Sequence, residues 1–467
     1  MKSRKPAAVA ALGAALAVTT LVGVTAPAAG ASTKMAAQDS SNSISVLYTN
    51  NYVFDTDALA AKWWGSIAKQ WKAADPSVKL TLLGTGGTDV DEMNKAAVLF
   101  RSPSETPCVI QLPTTYVGEF AGSGYLASLN SLVSGHNAPA FWTGMPKAVQ
   151  QISTIKGTVY AVNAGNNDSG ILYNKVMFKK AGIAVPWVPK TWQDIITAAE
   201  KVHKSDPKVY ALWAAAGVGA GPTNVLQGIG NLIDGSTNPE MIDPKTGKWV
   251  VNSPGLKATL QFYQQVYANG LGAPTSQLFP SDSVGQPPLL MQQGKLAIAI
   301  GSNWYTGDWL PKAGAPWPQA ATDVGIAPIP TQNGQAPGSA TTIGGWAWAI
   351  SAACKDKPAA WKFITLGQSP NNQLETAVWS GFVPPDTSVG TTPAFVKSSL
   401  YAEQFSQYAA NSAPLPTNTN FPVYARALNT VTGDFVQNPK TSISSALSTL
   451  SQLVTEQLGS NSVETVK

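Results

Sequence analysis

Acid–base or nucleophilic chemistry requires a positioned acid, base or nucleophile, and this chain supplies few. Its 467 residues include two histidines, His136 and His203, and two cysteines, Cys108 and Cys354. His203 falls between Lys201 and Lys204 at the end of a helical pattern, where it reads as a helix-terminal or surface residue. No HExxH or GxSxG stretch occurs, and two isolated cysteines make no zinc pattern. Gly84-Thr85-Gly86-Gly87-Thr88 is glycine-rich but lacks the Gly-Lys-Ser/Thr of a phosphate loop, so it reads as a tight turn first and a ligand contact second. A glycosidase-like carboxylate pair stays open, because any two of 26 acids could meet in a fold. The expectation is a protein that is not an enzyme and that needs no cofactor or metal.

Binding chemistry is better supplied. Four loops follow strand-like segments: Thr49-Asn50-Asn51, Gly86-Gly87-Thr88, Pro113-Thr114-Thr115-Tyr116 and Asn163 to Asp168. Ligands of open α/β sheets sit at such strand ends. Asn and Thr both donate and accept, which matches the hydroxyls of a sugar. Among these loops Asn50, Thr88, Thr114, Thr115, Tyr116 and Asn166 are the candidates, with Asp168 as a carboxylate or as a solvated turn residue. Large aromatics pack on the C–H face of a pyranose, and the chain has 15 Trp. Trp63 and Trp71 share an apolar stripe with Leu59 and Ile67 and read as core, as does Trp361; Trp379 could be either core or site. Trp304 and Tyr305 follow a strand pattern and are candidates for the site.

The elements that must position these residues alternate. Strand patterns at 43–48, 78–83, 108–112 and 158–162 are separated by helical ones at 59–71, 89–100 and 117–121, which indicates an α/β lobe with a mainly parallel sheet. A second α/β region has strands at 171–173, 209–213, 296–300 and 344–352. Its helices lie at 256–269, 358–366, 371–379 and 442–458, and another is opened by Thr191 as N-cap.

Several segments resemble the family 1 extracellular solute-binding proteins of ABC importers, the group that includes maltose-binding protein. They are Trp71 to Lys79, Lys156-Gly157-Thr158-Val159-Tyr160-Ala161-Val162, Leu172 to Gly182 and Pro189-Lys190-Thr191-Trp192. Gln293 to Ile298 with Gly301-Ser302-Asn303-Trp304, Ile326 to Pro330, Gly344-Gly345-Trp346 and Gly381-Phe382-Val383-Pro384 complete the set. The resemblance implies a two-lobed periplasmic-binding-protein type II fold, with discontinuous lobes joined by a hinge. By analogy the first lobe is 44–162 and 347–381, and the second is 165–343 and 385–458. It places Trp304, Tyr305 and Trp346 near the cleft. It implies a sugar ligand, an oligosaccharide foremost, delivered to ABC permease transmembrane subunits. Sugar-binding relatives often carry an acid in the loop after the third strand, where this chain has Pro113. In the family's sheet the returning strand lies antiparallel beside the third strand, which implies a Cys108–Cys354 disulfide; the alternative is two buried thiols. Binders of another small solute, a secreted carbohydrate-active hydrolase and a cell-wall adhesion module are the competing readings.

The N-terminus reads as a secretory signal over 1–31: Lys2, Arg4 and Lys5, an apolar stretch to Val24, then Ala29-Gly30-Ala31. A Ser-rich flexible leader follows at 32–43. Cleavage leaves a net charge of about +2 and no basic stripe, which argues against nucleic acid. The first Cys is Cys108, so there is no lipobox Cys. The expectation is an exported monomer, extracellular or associated with the cell envelope.

Overall fold

The computed structural model describes residues 42–49, 57–133, 142–311 and 313–466. The signal reading of 1–31, nearly all of the leader, and Asn50 lie outside the described residues. In chain order the main elements are β1 (Ser43–Thr49), α1 (Asp57–Ala74), β2 (Lys79–Thr85), α2 (Asp89–Phe100), β3 (Val109–Pro113), α3 (Thr114–Gly122), β4 (Ala161–Asn167) and β5 (Ser169–Asn174). Then come α4 (Trp192–Ser205), β6 (Tyr210–Trp213), α5 (Thr223–Gln227), α6 (Pro254–Ala268), β7 (Leu296–Ser302), β8 (Val324–Ala327) and β9 (Thr341–Ile350). The last are α7 (Lys357–Gly367), α8 (Pro370–Ser380), β10 (Ser412–Pro414), α9 (Phe421–Gln437) and α10 (Ile443–Leu458).

Two sheets form. The first has six strands in the order β10-β9-β3-β1-β2, with β4 also on β9. β1, β2 and β3 are parallel, and β9 runs antiparallel to both β3 and β4. The second sheet has the order β8-β5-β7-β6. Every residue of β3 and β7 is buried, as expected of strands covered on both faces. Trp63, Trp64, Ile67 and Trp71 of α1 enter the core, and Trp361 is buried as well. Trp63 meets Trp379, Trp64 meets Trp348 and Trp71 meets Phe363, each at 5.8 Å between ring centroids.

Local chemistry sets the helix starts. Thr88 Oγ1 accepts from the Asp91 backbone N–H, and Asp91 Oδ2 accepts from the Thr88 N–H, a reciprocal cap that starts α2. Thr191 and Asp194 do the same for α4. Two expected loops are not loops. β3 runs directly into α3, with Pro113 at the N-cap position, so Thr114-Thr115-Tyr116 form a first helical turn. Asn163 to Asn167 belong to β4, held by pairing with β9. α9 is absent from the sequence reading because Asn429, Thr432 and Gly433, all buried in the helix, dilute its apolar period.

Cys108 and Cys354 form a disulfide with Cα atoms 4.5 Å apart. The Ser351 N–H donates to the Cys108 carbonyl at 2.9 Å, so the pairing of β9 with β3 brings the two together. The bond spans a sequence separation of 246, and closing so long a loop in the unfolded chain stabilises the fold by roughly 2–5 kcal/mol. The double variant C108S/C354S is expected to lose stability of that size in urea denaturation. Unreduced, denatured protein should show no reactive thiol; two per chain would contradict the pairing.

Candidate functional site

Three backbone segments meet where the two sheets join. β4 passes into β5 through Asp168, β9 passes through Gly344 and Gly345, and a third segment follows α8 at Gly381–Pro384. Asn166 and Val383 exchange both backbone hydrogen bonds, at 2.7 and 3.0 Å. Gly345 has a φ of +129°, and a Cβ there would collide with the Gly165 carbonyl, so glycine is required. Asn303 staples the junction. Its Oδ1 accepts from the Asp168 N–H at 3.1 Å and its Nδ2 donates to the Gly381 carbonyl at 2.7 Å.

Above this junction lies a cavity of about 70 Å³. Asp89, Pro113 and Thr115 line it from the strand ends of the first sheet. Thr223 and Gln227 of α5, with Trp304, line it from the second. Asn167, Trp346, Ser380 and Phe382 come from the crossing segments or lie beside them. Three aromatic rings therefore surround hydroxyl and amide groups. Thr115 Oγ1 and Asn167 Oδ1 are buried and make no hydrogen bond among the described residues. The cavity shares Asp89, Thr223 and Val284 with a compartment of about 250 Å³, which in turn shares Val90 with a groove of about 740 Å³.

The structure brings Thr115, Trp304 and Trp346 together in the cavity wall. Thr88 lines the next compartment, where its side chain also caps α2, and Tyr116 lines the outer groove. The remaining described candidates stand back from the wall. Thr114 is buried in the first turn of α3, on a different side from Thr115. Asn166 spends its side chain at the junction, where Asn163 Nδ2 donates to its Oδ1 at 2.8 Å. Asp168 is fully buried beneath the crossing. Tyr305 is buried behind Trp304, its hydroxyl donating to Gln227 Oε1 at 3.1 Å, so it positions Gln227.

Sequence reasoning misses Asp89, Thr223, Gln227, Ser380 and Phe382 as site residues, and reaches Asn167 only as part of the 163–168 loop. Asp89 carried a signal, as the first helical residue after a strand end and a glycine-rich turn. Phe382 belongs to the Gly381-Phe382-Val383-Pro384 segment that carries the family resemblance. Thr223 and Gln227 carried none, because a five-residue helix has too short a pattern to read.

A family model described as bacterial extracellular solute-binding protein matches residues 55–374. The "Probable ABC transporter-binding protein" of Deinococcus radiodurans is 29% identical over 244 residues, covering 51% of this chain and 54% of that protein. The mannitol-binding protein of Pseudomonas aeruginosa is 25% identical over 256 residues, covering 54% and 53%. The match thus spans about half the length of these relatives. In three dimensions the chain is similar to the cyclic alpha-maltosyl-1,6-maltose binding protein from Arthrobacter globiformis. The TM-score is 0.70 at 19% identity, covering 89% of this chain and 99% of that one. That likeness shows the two-lobed periplasmic-binding-protein fold. Among the described residues no helix is long and apolar enough to cross a membrane, and no group of three His, Cys, Asp or Glu could hold a metal.

The acids near the site are shifted by burial. Glu92, one turn beyond Asp89 on α2, accepts from Thr49 Oγ1 at 2.6 Å. Burial, with a smaller contribution from the Asp89 charge, pushes its pKa up from 4.5 to about 8 against the opposing pull of Thr49. Burial alone lifts Asp168 to about 7. Burial also raises Asp89, opposed by its hydrogen bond from Thr223. For an acid raised on folding, the folded state holds a proton that the unfolded chain releases. Its stabilisation is complete below about pH 4 and is lost as pH rises through 7 to 8. The thermal midpoint should fall by a few degrees between about pH 5 and pH 8.5. Glu92→Gln, which mimics the protonated form, should flatten that decline. A midpoint that rises over this range, or an unchanged slope in the variant, would contradict the assignment.

Proposed function

We propose, because the chain belongs to the bacterial extracellular solute-binding proteins, that it captures a sugar or polyol between its lobes and delivers it to the transmembrane subunits of an ABC importer. The observation that carries this reading is the cavity wall. Trp304, Trp346 and Phe382 stand beside Thr115 and Asn167, each with a buried acceptor that has no partner among the described residues. Aromatic faces accept the C–H face of a sugar ring. An unpaired buried polar group costs about 1–3 kcal/mol, so a ligand hydroxyl that reaches it gains a comparable amount. The relatives point the same way, one named for mannitol and another for a cyclic maltosyl-maltose. By the resemblance, Pro113 occupies the place where relatives often carry an acid, and Asp89 brings a carboxyl group to the same cavity from beyond the end of β2, two strands away.

Contacts to both lobes favour a closed form by differential affinity, with the three crossing segments as the hinge. Turnover is not part of this reading. A glycosidase needs two carboxyls flanking the scissile bond. Here the wall of the deep cavity holds one carboxylate among the described residues, Asp89, and Glu92 lies on the same helix rather than opposite it. The protein acts, in this account, as an exported monomer without a nucleic-acid partner.

Titration calorimetry against mannitol, maltose and longer oligosaccharides tests the assignment. Binding without product release is expected. Failure of every carbohydrate, while another solute binds, would overturn the ligand class. Trp304→Ala should weaken binding at least tenfold, about 1.4 kcal/mol; unchanged affinity would remove Trp304 from the site.

A further inference from the structure

Asp89 is the first residue of α2, whose Met93, Ala96 and Phe100 pack on the first sheet. Thr223 is the first residue of α5, which packs on β7 of the second sheet. Thr223 Oγ1 donates to Asp89 Oδ2 at 2.9 Å, a hydrogen bond that crosses from one lobe to the other. Both residues, together with Val284, line the deep cavity and also the compartment outside it. The pair therefore stands in the partition between a space of about 70 Å³ and one of about 250 Å³. Val90 lines both that compartment and the groove of about 740 Å³.

We propose that the Asp89–Thr223 bridge is the chain-length determinant of this site: a one-ring ligand binds with the bridge intact, and a longer saccharide threads between the two residues and replaces it. This rests on the carbohydrate reading above. With a short ligand, the bridge adds a lobe-to-lobe bond that only the closed form makes, so it contributes to affinity through closure. It also satisfies the Asp89 carboxyl group, whose desolvation would otherwise oppose closure. With a long ligand the saccharide's own hydroxyls donate to Asp89 and meet Thr223 as the chain passes outward. Removing the Thr223 hydroxyl then strips short ligands of the bridge and leaves Asp89 unsatisfied. Long ligands keep a donor for Asp89 and lose less.

The test measures affinities of gluco-oligosaccharides of one to four rings, in α-1,4 and β-1,4 linkage, for wild type, Thr223→Val and Thr223→Ser. Valine matches threonine in shape without the hydroxyl, and thermal midpoints check that each variant is folded. In T223V the ratio of four-ring to one-ring affinity should rise at least fivefold over wild type. In T223S, which keeps the donor, it should stay within twofold. A ratio that moves less than fivefold in T223V, or moves equally in T223S, overturns the bridge as the determinant while the carbohydrate reading stands. If wild type binds none of the series and binds a non-carbohydrate solute instead, both fall together.

Discussion

Asn166 and Val383 exchange two backbone hydrogen bonds at the point where the sheets join, and Gly345 lies directly against the Gly165 carbonyl. Everything that makes the site depends on this contact. Asn167 and Trp346, which line the cavity, are the next residues along two of the crossing strands, and Phe382 adjoins the third crossing. Asn303 bonds to Asp168 and Gly381 at once, and Trp304 is the residue that follows it. Side chains on crossing strands thus form the floor of the cleft, and the strand ends of each sheet form its sides. A floor of backbone held by hydrogen bonds can bend without exposing a core, which suits lobes that close on a ligand.

Apart from Asp89, the cavity wall is built from neutral groups with hydrogen-bonding capacity to spare. Buried oxygens of Thr115 and Asn167 make no bond to the described protein, whereas Tyr305 holds Gln227 and Thr223 holds Asp89. Such a set neither attracts nor rejects charge strongly. Under the proposed function, such a set would select a ligand by hydroxyl count, ring face and length, the features that distinguish one carbohydrate from another. Burial raises the acids around it, Glu92 to about 8 and Asp168 to about 7, which favours their neutral forms relative to ordinary carboxylates.

Much of the fold was legible in the sequence because the patterns are long and local. α2 begins and ends where the sequence places it, since the cap at Thr88 and the apolar period to Phe100 are both local signals. The core Trp stripe of α1 was legible for the same reason. The site was legible only in part. Trp304 and Trp346 stand in the cavity wall, toward which motif order points, and Thr115 stands there after the end of a strand. Neighbours in sequence then diverged in space. Thr114 turned away because a helix, not a loop, follows β3, and Tyr305 turned inward behind Trp304. Asn166 is absorbed by pairing with strands far apart in sequence, opposite both Gly345 and Val383, and Asp168 is held through its backbone by Asn303. Thr223 and Gln227 reach the cleft from a short helix, and only tertiary packing puts them there.

The central claim is that the cavity at the junction of the two sheets is where the carbohydrate is seated. Hydrogen–deuterium exchange of the protein, with and without a saturating oligosaccharide, tests it directly. Protection should concentrate in peptides containing residues 113–116, 223–227, 302–305, 344–346 and 380–383. Protection confined to other segments, with these peptides unchanged in the presence of bound ligand, would contradict the account.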